Sequence, residues 1–326
     1  MIEVHHLTKQ YGDHLALNDL SFTAEPGRIY GFLGPNGAGK STAMNIMTGC
    51  LSATSGEVTI GGHDIFEEPV EAKKLIGYLP ELPPLYQDMT PLEYLDFVAK
   101  AKGIRGRTRV GEEVSSVMEK TGILEVRDRL MKNLSKGYRQ RVGIAQALLG
   151  DPQVIIMDEP MVGLDPKQII EIRELIRSLR EGHTVILSSH ILTEVRAVCD
   201  HIMILSHGRL MAADTPENLE KLFDSSLVLR LVARIGQREF FELAQTMELS
   251  GEAKYTPLEE GLARIEIPAR EDSGKLAEEV FFAFAGKGCP ILEMTSQKAG
   301  LESVFLELTQ DNEKPAGEEE EHDGDL

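Results

Sequence analysis

The chain is short of cysteines, short of basic residues and free of long apolar runs, and each shortage removes a class of protein. Cys50, Cys199 and Cys289 are odd in number, far apart and unaccompanied by any CxxC, which argues for reduced, packing-type thiols and against a disulfide framework or zinc site. No apolar stretch approaches the roughly 18 to 20 residues that span a bilayer, so the chain is not expected to enter a membrane by itself. The start, MIEVHHLTKQYG, lacks a basic head and an apolar segment of signal-peptide length, and the expected compartment is the cytoplasm. Lys and Arg number 34 against 53 Asp and Glu, a net charge of −19. Binding to nucleic-acid phosphates, which relies on clustered cations, is therefore not expected. The segment DNEKPAGEEEEHDGDL, residues 311–326, holds eight acids and one lysine and supplies −7 of that charge, leaving −12 elsewhere. It reads as a disordered, solvated end, with a partner-binding segment as the alternative.

What is present suits one large domain and a smaller one, because 326 residues exceed a typical single domain. With 42% hydrophobic and 27% charged residues the chain reads as globular. Over residues 1 to about 215, within a first domain expected at 1–220, short apolar runs alternate with amphipathic helical stretches, the pattern of an α/β domain with a largely parallel sheet. IYGFLG, QVIIMD, TVILSS and HIMILS are continuous aliphatic runs, as expected of strands covered on both faces. A helical subdomain is expected at about 88–150, reading helical throughout as far as 133, with PLEYLDFVAKAKG and GEEVSSVMEKTG as its clearest helices. Residues 221–310 change character. Their order β-α-β-β-α-β matches the split βαβ arrangement of ferredoxin-like α+β domains, followed by a helix, AGLESVFLELTQ, with one apolar face.

The strongest chemical signal is GPNGAGKST, residues 34–42, between the strand IYGFL and the helical run AMNIMTG. Gly34, Gly37 and Gly39 let the loop Gly34-Pro35-Asn36-Gly37-Ala38-Gly39 bend so that its N–H groups surround phosphates at a helix start. Lys40 is placed to reach the β- and γ-phosphates, Ser41 to ligate Mg²⁺, and Thr42 to meet phosphate nearer the sugar. The second signal is VIIMDEP, where a strand ends in Asp158 and Glu159. Alone, such a pair reads as a solvated turn. With the phosphate loop upstream, Asp158 fits a metal-holding aspartate and Glu159 a group that orients water.

With these residues in place the chain resembles the nucleotide-binding subunits of ATP-binding cassette (ABC) transporters, a branch of the P-loop NTPases. LSKGY (Ser135, Lys136, Gly137, Tyr138) stands where that family has its signature LSGGQ, GLDP resembles its D-loop with Asp165, SSH places His190 as the switch histidine, and Tyr11 resembles the aromatic that stacks on adenine. The resemblance implies ATP and Mg²⁺ as cofactors, and a homodimer in which each signature closes over the partner's phosphate loop. It further implies an integral membrane subunit as partner, and a place on the inner face of the cell membrane. A bland alternative is that Ser135 only caps its helix. Two departures from the family matter: Glu81 replaces a glutamine and adds a carboxylate beside the metal site, and Lys136 replaces a glycine of the signature. GYLPE, LSKGYRQR and ESVFLEL together resemble ATPases that serve separate ABC-2 type membrane subunits, which implies an exporter. The competing readings are a soluble ABC ATPase and a nucleotide-dependent regulatory module; the first usually carries tandem cassettes or long coiled coils, and no sustained heptads are present.

Overall fold

A computed structural model describes residues 1–223, 227–247, 253–269 and 273–298. The helix expected at AGLESVFLELTQ and the acidic tail lie outside the described residues. The chain divides into two units, Met1–Pro216 and Glu217–Leu326.

In the first unit the elements are, in order, β1 (Ile2–Tyr11), β2 (His14–Ala24), β3 (Ile29–Leu33), α1 (Lys40–Met47), β4 (Ser55–Ile60), β5 (His63–Asp64), α2 (Pro69–Lys74), β6 (Ile76–Leu79) and α3 (Pro91–Ala101). They continue as α4 (Arg107–Lys120), α5 (Lys136–Leu148), β7 (Val154–Met157), α6 (Pro166–Ser178), β8 (Thr184–Ser189), α7 (Leu192–Val198), β9 (His201–Ser206) and β10 (Arg209–Asp214). The central sheet has the order β10-β9-β3-β8-β7-β6, parallel except for its edge strand β10. Every residue of β3, β7 and β8 is buried, which is why these runs are aliphatic without alternation.

A second sheet, β2-β1-β4-β5, is wholly antiparallel and was not anticipated. Its strands alternate and carry bulges, so they leave no continuous apolar run to read. One core joins the two sheets through α1: Ile2, Leu7 and Leu20 pack with Phe32, Ile156 and Ile186 around Met44 and Met47. Phe22 meets Phe32 edge to face at 5.3 Å. On β3, a Cβ at Gly31 would fall 2.2 Å from Val195 Cγ1 and 2.7 Å from Cys199 Sγ. The missing side chain is thus what lets α7 and the thiol that follows it lie directly on this strand.

The helical region departs from expectation in two places. α4 begins at Arg107, one turn before GEEVSS, because Gly106 at φ 90° ends the preceding turn. The stretch between α4 and α5 is not helical throughout; it holds only short 3₁₀ turns at Leu124–Val126 and Met131–Asn133. α3 starts on a reciprocal cap, Thr90 Oγ1 accepting from Glu93 N–H while Glu93 accepts from Thr90 N–H, with Pro91 as first helical residue.

The second unit opens with α8 (Pro216–Phe223) and continues as β11 (Leu227–Arg234), α9 (Gln237–Thr246), β12 (Lys254–Pro257), β13 (Leu262–Ala269), α10 (Ser273–Gly286) and β14 (Ile291–Lys298). Its sheet, β12-β13-β11-β14, is antiparallel at every pairing. Leu229, Leu231, Ile265 and Ile267 on one sheet face pack with Phe240 of α9 and Phe284 of α10.

Candidate nucleotide site

Because β3, β8, β7 and β6 are adjacent and parallel, their C-terminal ends share one edge of the sheet, where open α/β sheets bind ligands. Four segments leave from that edge: the glycine loop after β3, Asp158-Glu159 after β7, Ser189-His190 at the end of β8, and Glu81 after β6. They surround a cleft of about 390 Å³ lined by Tyr11, Asn36, Gly37, Ala38, Gly39, Lys40, Ser41, Thr42, Glu81, Glu159 and His190. Gly34 and Pro35 sit beneath it, their carbonyls accepting hydrogen bonds from Lys40 Nζ at 2.8 and 3.2 Å.

The loop geometry demands its glycines. Gly37 and Gly39 have φ of 83° and 101°, and a Cβ at Gly34 would lie 2.5 Å from the Leu205 carbonyl oxygen of β9. The chain therefore lies flat against the sheet edge before α1 begins at Lys40. Lys40 is 6% exposed and its Nζ stands 3.7 Å from Glu159 Oε1. Burial lowers its pKa, and the Glu159 and Asp158 carboxylates oppose that shift. Glu159 adopts φ 47°, a left-handed backbone uncommon for a residue with a side chain. Its carboxylate faces His190, whose Nδ1 is 3.1 Å from Oε2 and 3.2 Å from Oε1.

Three supporting residues lie within the quoted stretches but were given no role by the sequence. Ser188, buried in β8, donates to Asp158 Oδ1 and accepts from Glu159 N–H, so one hydroxyl ties both carboxylate residues to the neighbouring strand. Gln140, buried on α5, donates to the Pro160 carbonyl at 2.9 Å, linking the helix after LSKGY to the segment after Glu159. Lys9 Nζ stands 5.0 Å over the ring of Tyr11 and donates to the Ser52 carbonyl at 2.8 Å, fixing one face of a ring that is 46% exposed.

The signature residues do not line this cleft. Ser135, Gly137 and Tyr138 line a separate hollow of about 360 Å³, together with Asp165, Arg141, Gln168 and Glu171. Ser135 caps α5 by accepting from Tyr138 N–H at 3.3 Å, and Asp165 caps α6 by accepting from Gln168 N–H at 2.9 Å. A Cβ at Gly137 would meet Gln168 Cδ at 2.8 Å, so these two helix starts are pressed together. The Tyr138 hydroxyl is hydrogen-bonded to Glu125, which raises its pKa. Lys136 Nζ occupies the space a side chain at Gly163 would fill, 2.2 Å from that ideal Cβ. Lys136 thus rests on the Gly163 backbone of its own chain.

A phosphate loop at the sheet edge, an acidic strand end and a histidine on the next strand define a P-loop nucleoside triphosphatase. Residues 17–162 match the family described as ABC transporter. The lantibiotic transport ATP-binding protein SrtF of Streptococcus pyogenes is 36% identical over 232 residues, 70% of this chain and 98% of that protein. The bacitracin transport ATP-binding protein BcrA of Bacillus licheniformis is 33% identical over 310 residues, 94% of this chain and 97% of that protein. A dimeric ATP-binding cassette in a post-hydrolysis state, bound to ADP and Pi, superposes with a TM-score of 0.60 at 26% identity, covering 66% of this chain and 98% of that one. The chain belongs to the ABC transporter ATP-binding proteins and is an ATP-hydrolysing subunit of that kind. These relatives favour the transporter reading over a soluble ATPase or a regulatory module.

Proposed function

We propose that the cleft hydrolyses ATP by positioning and electrostatics, and that each site is completed by a second copy of the chain. Lys40 and the loop amides of residues 37 to 42 take the β- and γ-phosphates, Tyr11 stacks on the base, Glu159 orients the attacking water and His190 holds the γ-phosphate. Ser41, Asp158 and Glu81 offer hard oxygen donors suited to Mg²⁺. Among the described residues no three His, Cys, Asp or Glu side chains are grouped to hold a metal alone, which suits an ion shared with phosphate oxygens and water. When bound, Mg²⁺ would neutralise phosphate charge.

The observation that carries this reading is the separation of the two half-sites: the phosphate loop and the signature line different hollows. Ser135, Lys136, Gly137, Tyr138 and Asp165 then serve the ATP of the partner. Mixing a Lys40→Ala chain with a Ser135→Arg chain tests it, since a heterodimer unites one intact phosphate loop with one intact signature. Each variant is expected to be inactive and activity to return on mixing. A flat result with heterodimers demonstrated, and without ATP-driven dimerisation of Glu159→Gln, would count against the shared site.

We further propose that the subunit drives an ABC-2 type exporter from the inner face of the membrane, supported by relatives named for lantibiotic and bacitracin transport. Among the described residues no helix is long and apolar enough to cross a membrane; in this reading the path belongs to a separate membrane subunit. Leu82, 83% exposed, follows Glu81 directly, and the exposed rings of Tyr86 and Phe97 lie 5.8 Å apart. We assign Leu82 and the pair of Tyr86 and Phe97 to the membrane subunit, because large exposed apolar side chains mark a docking surface. In the second unit, the β-α-β-β-α-β order and the strand order β12-β13-β11-β14 support a ferredoxin-like domain.

A further inference from the structure

Residues 100–109, KAKGIRGRTR, carry five cations and no acid in a chain of net charge −19. They form the end of α3, the connecting turn and the start of α4. Gly103 and Gly106, at φ 84° and 90°, turn the chain twice within four residues, which leaves Arg105 and Arg107 exposed. Lys100 pairs with Asp96, and Arg109 with Glu113 at 3.4 Å. Lys102 is engaged elsewhere, its ammonium donating to the carbonyls of Gln146, Ala147 and Leu149 at the end of α5. That contact roots the base of the loop. Arg105 and Arg107 have no ion-pair partner among the described residues, and with Lys100 and Ile104 they line a surface hollow of about 670 Å³.

The place of this loop says what it meets. Phe97 and Lys100 are three residues apart on α3 and therefore lie on one face of the helix. The basic loop thus continues the apolar surface of Tyr86 and Phe97. If that surface seats on the membrane subunit, as proposed above, the loop beside it comes close to the surrounding bilayer. Two unpaired guanidiniums with no aromatic ring among the residues lining their hollow suit a layer of phosphates better than a shaped ligand. Nucleic acid fits less well, because the rest of the chain is strongly acidic and would be repelled along any long polyanion. Against an anionic membrane the same acidity makes a local cationic contact necessary. We propose that the 100–109 loop rests on anionic lipid headgroups, with Arg105 and Arg107 as its phosphate contacts.

The inference rests on the docking reading but is tested apart from it. The full chain is sedimented with vesicles of roughly equal phosphatidylglycerol and phosphatidylcholine, and with vesicles of phosphatidylcholine alone, at low and high salt. Binding to the anionic vesicles only, falling as salt rises, is expected. An Arg105→Gln/Arg107→Gln variant should bind them about 25-fold more weakly, from roughly a fivefold contribution per cation near the surface, while its ATPase activity stays at the wild-type value. Unchanged binding by that variant, equal binding to both vesicles, or no binding at all would overturn the proposal. Displacement of the vesicles by a lower concentration of single-stranded RNA would make the partner a nucleic acid and overturn it as well. Leu82→Asp should leave vesicle binding intact while separating the chain from its membrane subunit, so failure of the docking reading and failure of this one give different results.

Discussion

Ser188 Oγ lies 2.6 Å from Asp158 Oδ1, and the same oxygen accepts the N–H of Glu159 at 2.8 Å. This hydroxyl holds the Asp158-Glu159 peptide in the left-handed turn that aims Glu159 into the cleft. Ser188→Ala would leave a buried N–H without a partner, a loss of about 1 to 3 kcal/mol, and would release the Asp158 carboxylate. The expected outcome is a lower melting temperature and a kcat that falls more than the KM for ATP rises. Steady-state kinetics with wild-type kcat would show the bridge to be idle.

Glu159→Gln keeps size and removes the carboxylate proposed to orient water. ATP binding should persist while turnover nearly stops, giving ATP-stabilised dimers visible by gel filtration. Hydrolysis within about a factor of two of wild type would remove Glu159 from the chemistry.

Tyr11→Ala should weaken ATP binding by about 1 to 3 kcal/mol, because the lost ring face stacks on any base. Lys9→Ala should cause part of that loss through the freed ring, and nothing further once Tyr11 is already alanine. A titration of both single variants and the double variant checks this, and additive losses would show that Lys9 does not act through Tyr11.

Leu82→Asp should abolish co-purification with the membrane subunit. At 83% exposure the residue has little packing to lose, so the melting temperature should move by no more than the small amount usual for surface changes. Intact co-purification would move the docking surface elsewhere.

Much of the site was legible because its chemistry is local in sequence. GPNGAGKST bends where its glycines fall, and VIIMDEP needs only a buried strand ending in two acids. The antiparallel sheet was not legible, since β1 and β2 are irregular and half-exposed and their pairing is a tertiary matter. Ser188, Gln140 and Lys9 were missed for the same reason. Each acts across strands or helices distant in sequence, and a serine in a strand or a glutamine in a helix carries no spacing that announces its partner. Lys136 could be seen as a change of charge, but that its ammonium lies over Gly163 follows from the meeting of α5 with the D-loop, which no periodicity encodes.

The contact between Gly31 and α7 leaves a thiol as its witness. Cys199 is buried against the strand that feeds the phosphate loop, and burial together with Asp200 pushes its pKa up, so it stays protonated and unreactive at neutral pH. Cys50 is exposed and should be alkylated at once. The labelling rate of Cys199 then becomes a clock for how often α7, and with it the segment bearing His190, lifts from β3. A nucleotide that draws His190 and Lys40 onto the same phosphate should slow that clock without touching the sulfur.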